Sequence, residues 1–234
     1  MRIPLATLLA FLVIAAPAAG QATATATPDE AGKGTKLHLE LDATQPPVAG
    51  RLPSSTTLSA QAGYKFDGRA VAKRCTEAQA EEDRCPAKSR SGSAVITASF
   101  GGSQYVVPVA LYLAKPQRAG DLAGVAVIAT VFGSPYAAMG RVVTTTTAPY
   151  GLSVILPTPV DLSSLSVTFE RFVADIGATR KVTKGSRKKG NRRKVRYHLL
   201  RNPKTCTAPW ASRADFTFPD GSSAFLEAPI SCTA

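Results

Sequence analysis

The sequence predicts an all-β protein: an antiparallel two-sheet, sandwich-like domain with one short disulfide-bracketed helix and a long basic hairpin. Three observations carry that expectation. Segments rich in Val, Thr and other β-branched residues recur along the chain, several of them alternating apolar and polar positions as a half-buried strand does. Gly and Pro punctuate these segments at about ten-residue intervals, the spacing of sandwiches and barrels. Long Leu/Glu/Lys patterns at helical spacing are absent. With 234 residues, 44% of them hydrophobic, the chain suffices for one sizeable domain with a real core.

The N-terminus reads as a signal peptide over residues 1–20. Arg2 supplies the positive charge, Leu5 to Ala15 is apolar except for Thr7, and Ala16-Pro17-Ala18 offers small residues for cleavage. The apolar run is short for a bilayer crossing, and no later stretch approaches the required length. Once the signal is removed, no transmembrane segment is expected. Residues 21–35, containing ATATATPDEAGKGT, read as a flexible linker, and a single β domain is expected over 36–234.

The domain should open on a strand in which Leu37, Leu39 and Leu41 alternate with Lys36, His38, Glu40 and Asp42, placing His38 towards solvent. Gln45 to Ser55 is rich in Pro and Ser and reads as a loop, with a weaker strand following within Thr57 to Phe66. Thr76 and Gln79 form a capping box that opens a short helix, TEAQAEEDR, ended by Cys85-Pro86. Glu77, Glu81 and Glu82 lie on that turn, where a solvated, dipole-favoured face explains them without catalysis. Strands then follow in SAVITASF, YVVPVALYLA, AGVAVIATVF, MGRVVTTTT, LSVILP and LSVTFERFVADI. In the last of these the apolar face is ambiguous, because Phe169 and Phe172 sit on opposite parities. At the C-terminus Trp210, Ser212, Ala214, Phe216 and Phe218 alternate with Arg213, Asp215 and Thr217. Pro219-Asp220-Gly221 turns the chain, and Ser223 to Ile230 returns.

Four cysteines allow three pairings. We favour Cys75–Cys85, across the helical excursion, and Cys206–Cys232, across the open end of the C-terminal hairpin. Zinc is not expected, since the cysteine gaps match no common ligand spacing and the chain has two histidines.

Charge is concentrated in one place. Between Asp175 and Asp215 there is no acidic residue and there are thirteen Lys and Arg, while the rest of the chain holds the other fifteen cations and all sixteen anions. The densest part, RKVTKGSRKKGNRRKVR from Arg180 to Arg196, should lie in a hairpin turning at Gly190-Asn191 or Lys184-Gly185. Val195, Tyr197 and Leu199 would then face one way and Arg196 and His198 the other. The run has three readings: a solvated tip, an arm for polyanions, or a processing site at Arg192-Arg193-Lys194.

Four segments resemble a group of secreted actinobacterial β-proteins of unknown function: Cys75 to Ala94, with CPAKSRSGSA; Leu111 to Pro116; Leu156 to Phe169; and Leu200 to Cys232, LRNPKTC…W…FPDG…C. The resemblance implies an exported, disulfide-linked, sandwich-like β domain and carries no catalytic residues. The long basic run before Asn202-Pro203 departs from that pattern, which has a short turn there.

Enzymatic signatures are wanting. There is no G-x-S-x-G, P-loop, dinucleotide fingerprint or calcium-loop spacing, and Glu40, Asp42, Glu170 and Asp175 are no more carboxylates than any β-protein carries. No cofactor, metal or catalytic residue is assigned. The expectation is a non-catalytic exported protein of the cell envelope or extracellular space. Through Arg187, Lys188, Lys189, Arg192, Arg193, Lys194 and Arg196 it would bind anionic cell-wall polymers, an anionic lipid surface or other polyanions. With Tyr197 as the one aromatic in reach, sequence-specific nucleic-acid recognition is not expected. The alternative is a secreted hydrolase with a site formed between loops.

Overall fold

Ala22, Ala24 and Ala26 alternate with Thr23, Thr25 and Thr27, and this places small apolar groups on one face of an extended segment. In the computed structural model, which describes residues 22–158, 167–185 and 193–234, that segment is the first strand. It is β1 (Ala22–Thr27), paired antiparallel with β2 (Gly34–Asp42) from Ala22 opposite Leu41 to Thr27 opposite Lys36. The expected linker over 21–35 is therefore corrected. Alanine alternating with threonine is strand periodicity written in small residues, and the turn after it is fixed by Asn202. That side chain, 1% exposed, donates to the carbonyls of Pro28 (2.8 Å) and Glu30 (2.9 Å). The expected signal peptide lies outside the described residues.

The remaining strands are β3 (Ser55–Gln61), β4 (Lys65–Phe66), β5 (Arg90–Phe100), β6 (Ser103–Ala114), β7 (Ala123–Val131), β8 (Ser134–Thr144), β9 (Tyr150–Pro157), β10 (Val167–Ile176), β11 (Thr179–Lys184), β12 (Arg193–His198), β13 (Leu200–Arg201), β14 (Trp210–Thr217) and β15 (Ser223–Ile230), with one helix, α1 (Glu77–Glu81). The capping box is present: Thr76 and Gln79 exchange side-chain and backbone hydrogen bonds at the start of α1. The single weak strand expected within Thr57 to Phe66 is two, β3 and β4. β8 begins earlier than MGRVVTTTT suggested and ends before Thr145.

The all-β class holds, but the two-sheet sandwich does not. One antiparallel sheet runs β1-β2-β10-β5-β6-β7-β8-β9-β3-β14-β15, and it curls until β15 lies beside β1. Ten successive antiparallel pairings along eleven strands leave β1 and β15 pointing the same way. The parallel bridge between Glu30 and Thr233 agrees, and Ala31 N donates to Thr233 O at 2.9 Å. A sheet curled onto itself leaves few exposed edges. Period-two alternation states which side of a strand is buried. It does not state which strand lies next door, so a sandwich and a rolled sheet read alike in sequence.

Side chains on the concave face converge in one apolar cluster drawn from around the whole sheet, with Leu41, Leu113, Val142, Trp210, Phe216 and Ile230 almost fully buried. β7 is buried on both faces. Val125, Val127 and Ala129 point inward, while Ala126 and Ile128 are covered from outside by α1, Cys75 and Cys85. This explains why AGVAVIATV is apolar without alternation. In β10 the register shifts between Phe169 and Arg171, so Glu170 is an extra residue and Phe169 and Phe172 both reach the interior side. That bulge resolves the ambiguous face.

Both favoured disulfides form, Cys75–Cys85 (Cα–Cα 5.1 Å) and Cys206–Cys232 (5.8 Å). They sit at one end of the rolled sheet. Cys75 bridges to Ala114 at the end of β6, and Cys206 and Cys232 flank β14 and β15. β10 ends there too, with Ile176 opposite Gly92. The chain leaves the main sheet at that point to form the separate two-stranded ribbon β11–β12.

Candidate anion-binding site

The ribbon pairs Thr179 with His198, Arg180 with Tyr197, Lys181 with Arg196, Val182 with Val195, Thr183 with Lys194, and Lys184 with Arg193. Two of the six cross-strand pairs, Lys181 with Arg196 and Lys184 with Arg193, set like charges directly opposite each other, an arrangement that destabilises a ladder. This register excludes a turn at Lys184-Gly185. Gly190-Asn191, together with the candidate residues Arg187, Lys188, Lys189 and Arg192, lies outside the described residues. Of the other candidates, Lys194 and Arg196 project from the same face as Lys181 and Thr183. Arg193 shares the opposite face with Val195 and Tyr197.

The root of the ribbon is tied down. Leu199 N donates to Ala178 O (2.8 Å) and Asp67 N to Leu199 O (2.9 Å). β13 continues the return strand and pairs with both β2 and β4, so that Leu200 faces Thr35 and Phe66, and Arg201 faces Gly34 and Lys65. The His198 ring packs over Gly34, where any Cβ would collide with it, and accepts or donates one hydrogen bond with Thr179 Oγ1 (3.3 Å). Burial, then the charges of Arg196 and Arg201, push the His198 imidazole below its ordinary pKa.

Between the ribbon and the turn after β4 lies a groove of about 450 Å³ lined by Lys65, Arg69, Arg196, Tyr197, His198 and Arg201, with Asp67 its one carboxylate. Arg69 neutralises that carboxylate through Nε and Nη2, both at 2.8 Å, and its hydrogen bonds hold the Asp67 carboxyl below the usual range. The Arg69 guanidinium also covers the Tyr197 ring at 4.7 Å, with Lys184 Nζ 5.3 Å from the same centroid. Among the described residues, Lys65, Arg180, Lys181, Lys184, Arg193, Lys194, Arg196 and Arg201 form no ion pair with a carboxylate. The seven cations expected from sequence did not include Lys65, Arg69 or Arg201. No local signal marks them, because β4 and β13 are two-residue strands brought together from positions far apart in the chain.

The other polar clusters have structural partners. His38 Nδ1 lies 3.0 Å from Asp175 Oδ1 across β2 and β10, and no hydroxyl is hydrogen-bonded to its ring among the described residues. Arg171 takes Glu40, Gln104 donates to Glu170, and Asp42 holds Thr44, so these carboxylates do not converge on a cleft. Tyr150, its phenol pushed up to about 12 by burial and by Glu227, joins Arg213, Asp215 and Glu227 in one ion network. No group of three or more His, Cys, Asp or Glu suited to a metal occurs among the described residues. Nor, among them, is any helix long and apolar enough to cross a membrane.

Fold and site together define a disulfide-braced, rolled antiparallel β-sheet with a cationic ribbon at one end. No family model matches the chain, and no curated protein or solved structure matches it.

Proposed function

We propose that the protein is a non-catalytic exported binding protein of the cell envelope or extracellular space, related to the secreted actinobacterial β-proteins it resembles. It attaches to anionic polymers or surfaces through the ribbon and the groove at its root. One observation carries the reading. Cations are set opposite cations on β11 and β12 with no carboxylate partner among the described residues, so an anion lying along the ribbon would relieve a repulsion the fold leaves unsatisfied. Two disulfides fit an oxidising compartment. The ribbon offers Tyr197 as its sole aromatic, and Arg69 already covers that ring, so base stacking contributes little.

The test is binding of the purified protein to immobilised heparin and to anionic vesicles over a salt series. Counterion release predicts that affinity falls by roughly tenfold or more between about 50 and 500 mM salt. Neutralising Arg187, Lys188, Lys189, Arg192, Arg193 and Lys194 together should weaken binding at least tenfold while leaving the thermal transition of the folded domain in place. Parent-like binding by that folded variant would refute the reading.

A further inference from the structure

The interior of the rolled sheet is not fully packed. An apolar cavity of about 80 Å³ occupies the end nearer the ribbon, a second of about 60 Å³ lies beyond it, and Leu111 lines both. The hydroxyls near this space are already used: Ser91 Oγ donates to Leu111 O (3.1 Å) and Ser212 Oγ to Ala228 O (2.5 Å). The wall is mainly aliphatic, with satisfied hydroxyls and with Phe66, His38 and Arg213 also on the lining, and a mainly aliphatic wall disfavours water and suits hydrocarbon.

The cavity adjoins the cationic groove. Phe66 lines both of them, and the short β4–β13 ladder divides the two environments by strand parity. Phe66 and Leu200, paired with each other, both line the cavity, while Lys65 and Arg201, paired next to them, line the groove. At the bend before β13 the alternation breaks: Leu199 also lines the cavity, while Arg196 and His198 line the groove. A groove of about 450 Å³ has room for a hydrated headgroup. Apolar cavity and cationic groove therefore lie on the two sides of one two-residue strand pair.

We propose that this end of the molecule binds a single-chain anionic amphiphile, with the headgroup in the groove among Lys65, Arg196 and Arg201 and the alkyl chain in the interior of the sheet. The proposal rests on the anion-binding reading for its headgroup half and on the cavity for its chain half. Fatty acids, alkyl phosphates and lysolipids share this chemistry.

The experiment titrates the full chain with hexyl, octyl and decyl phosphate below their aggregation concentrations, beside inorganic phosphate and decanol, by calorimetry and methyl NMR. Burial of each added methylene should tighten binding by about fourfold until the bore is filled. Methyl resonances of Leu113, Val125 and Leu226, which line the cavity, should shift with decyl phosphate and not with inorganic phosphate. Replacing Lys65, Arg196 and Arg201 together by Gln should weaken decyl phosphate at least tenfold. Affinity that does not change with chain length, with heparin binding intact, would overturn the chain site and leave the anion reading standing. Decanol binding as tightly as decyl phosphate would overturn the headgroup assignment. Chain-dependent binding with no affinity for heparin would confine the cations to small amphiphiles and refute the polymer reading alone. The variant Ala228→Leu, placed to fill the cavity, should lower decyl phosphate affinity. If it fails to fold, the chain-length series on the parent protein decides the matter unaided.

Discussion

Asn202 shows how one side chain can determine where a domain begins. Its amide holds the Pro28 and Glu30 carbonyls, and Asn202 N donates to Lys33 O at 2.8 Å, so the turn between β1 and β2 is fastened to the strand that leaves the ribbon. Asn202→Ala would remove the two hydrogen bonds that fasten this turn and should lower stability by about 2 kcal/mol. The loss would appear in chemical denaturation, with faster amide exchange in β1 than in β7. His198 is the second residue whose environment has a measurable consequence. Its folded pKa lies below the ordinary value of 6.5, so in acid the unfolded chain binds the proton first. Its effect on stability is absent above that value and grows as pH falls through the window beneath it. Denaturation at about pH 7.5 and about pH 5 should therefore show a loss in the parent that His198→Gln reduces. Neither role could be read locally. Asn202-Pro203 was legible only as part of the pattern shared with the resembled proteins, and its side-chain partners lie more than 170 residues away in the chain. His198 was placed correctly by parity, on the face with Arg196, while Gly34 beneath it came from another part of the chain altogether.

At the scale of elements, the sequence was most informative where chemistry is local. The capping box of α1, the Pro219-Asp220-Gly221 turn and the alternation from Trp210 to Phe218 each depend on residues within a few positions of one another. All three are found where the residues indicated. β1 was missed because its apolar residues are alanines. Ala24 and Ala26 are buried as thoroughly as Leu58 and Leu156 elsewhere in the sheet. β10 was ambiguous because a bulge changes strand parity midway, and nothing in VTFERFV announces the extra residue. β4 and β13 are too short to carry any period, yet they juxtapose the apolar interior and the cationic groove. The candidate site was therefore half legible. The ribbon's cations could be counted in the sequence, whereas Lys65, Arg69 and Arg201 join them only through pairing with distant strands.

For the whole molecule, closure of the sheet is the controlling feature. β1 covers one edge of β2 and lies beside β15, so it shields two strands that would otherwise present unpaired backbone. A chain starting at Pro28 should expose both edges and open the interior, and it should self-associate. Size-exclusion chromatography with light scattering would detect oligomers that the longer chain does not form; a monomeric, equally stable truncated chain would show that β1 is dispensable. The same closure gathers the side chains of strands from the whole chain around one bore and sets both disulfides and the cationic ribbon at a single end. By itself the sequence determined the β class, the buried side of most strands, the helix cap and the concentration of positive charge, and it favoured the disulfide pairing that forms. Each of these follows from residue type and short-range spacing. Only the tertiary structure decided that the strands form one rolled sheet, that the chain from Ala22 belongs to it, and that three further cations complete the groove. Those outcomes depend on which strands become neighbours, and the free energy that selects neighbours comes from burying surfaces contributed by distant parts of the chain.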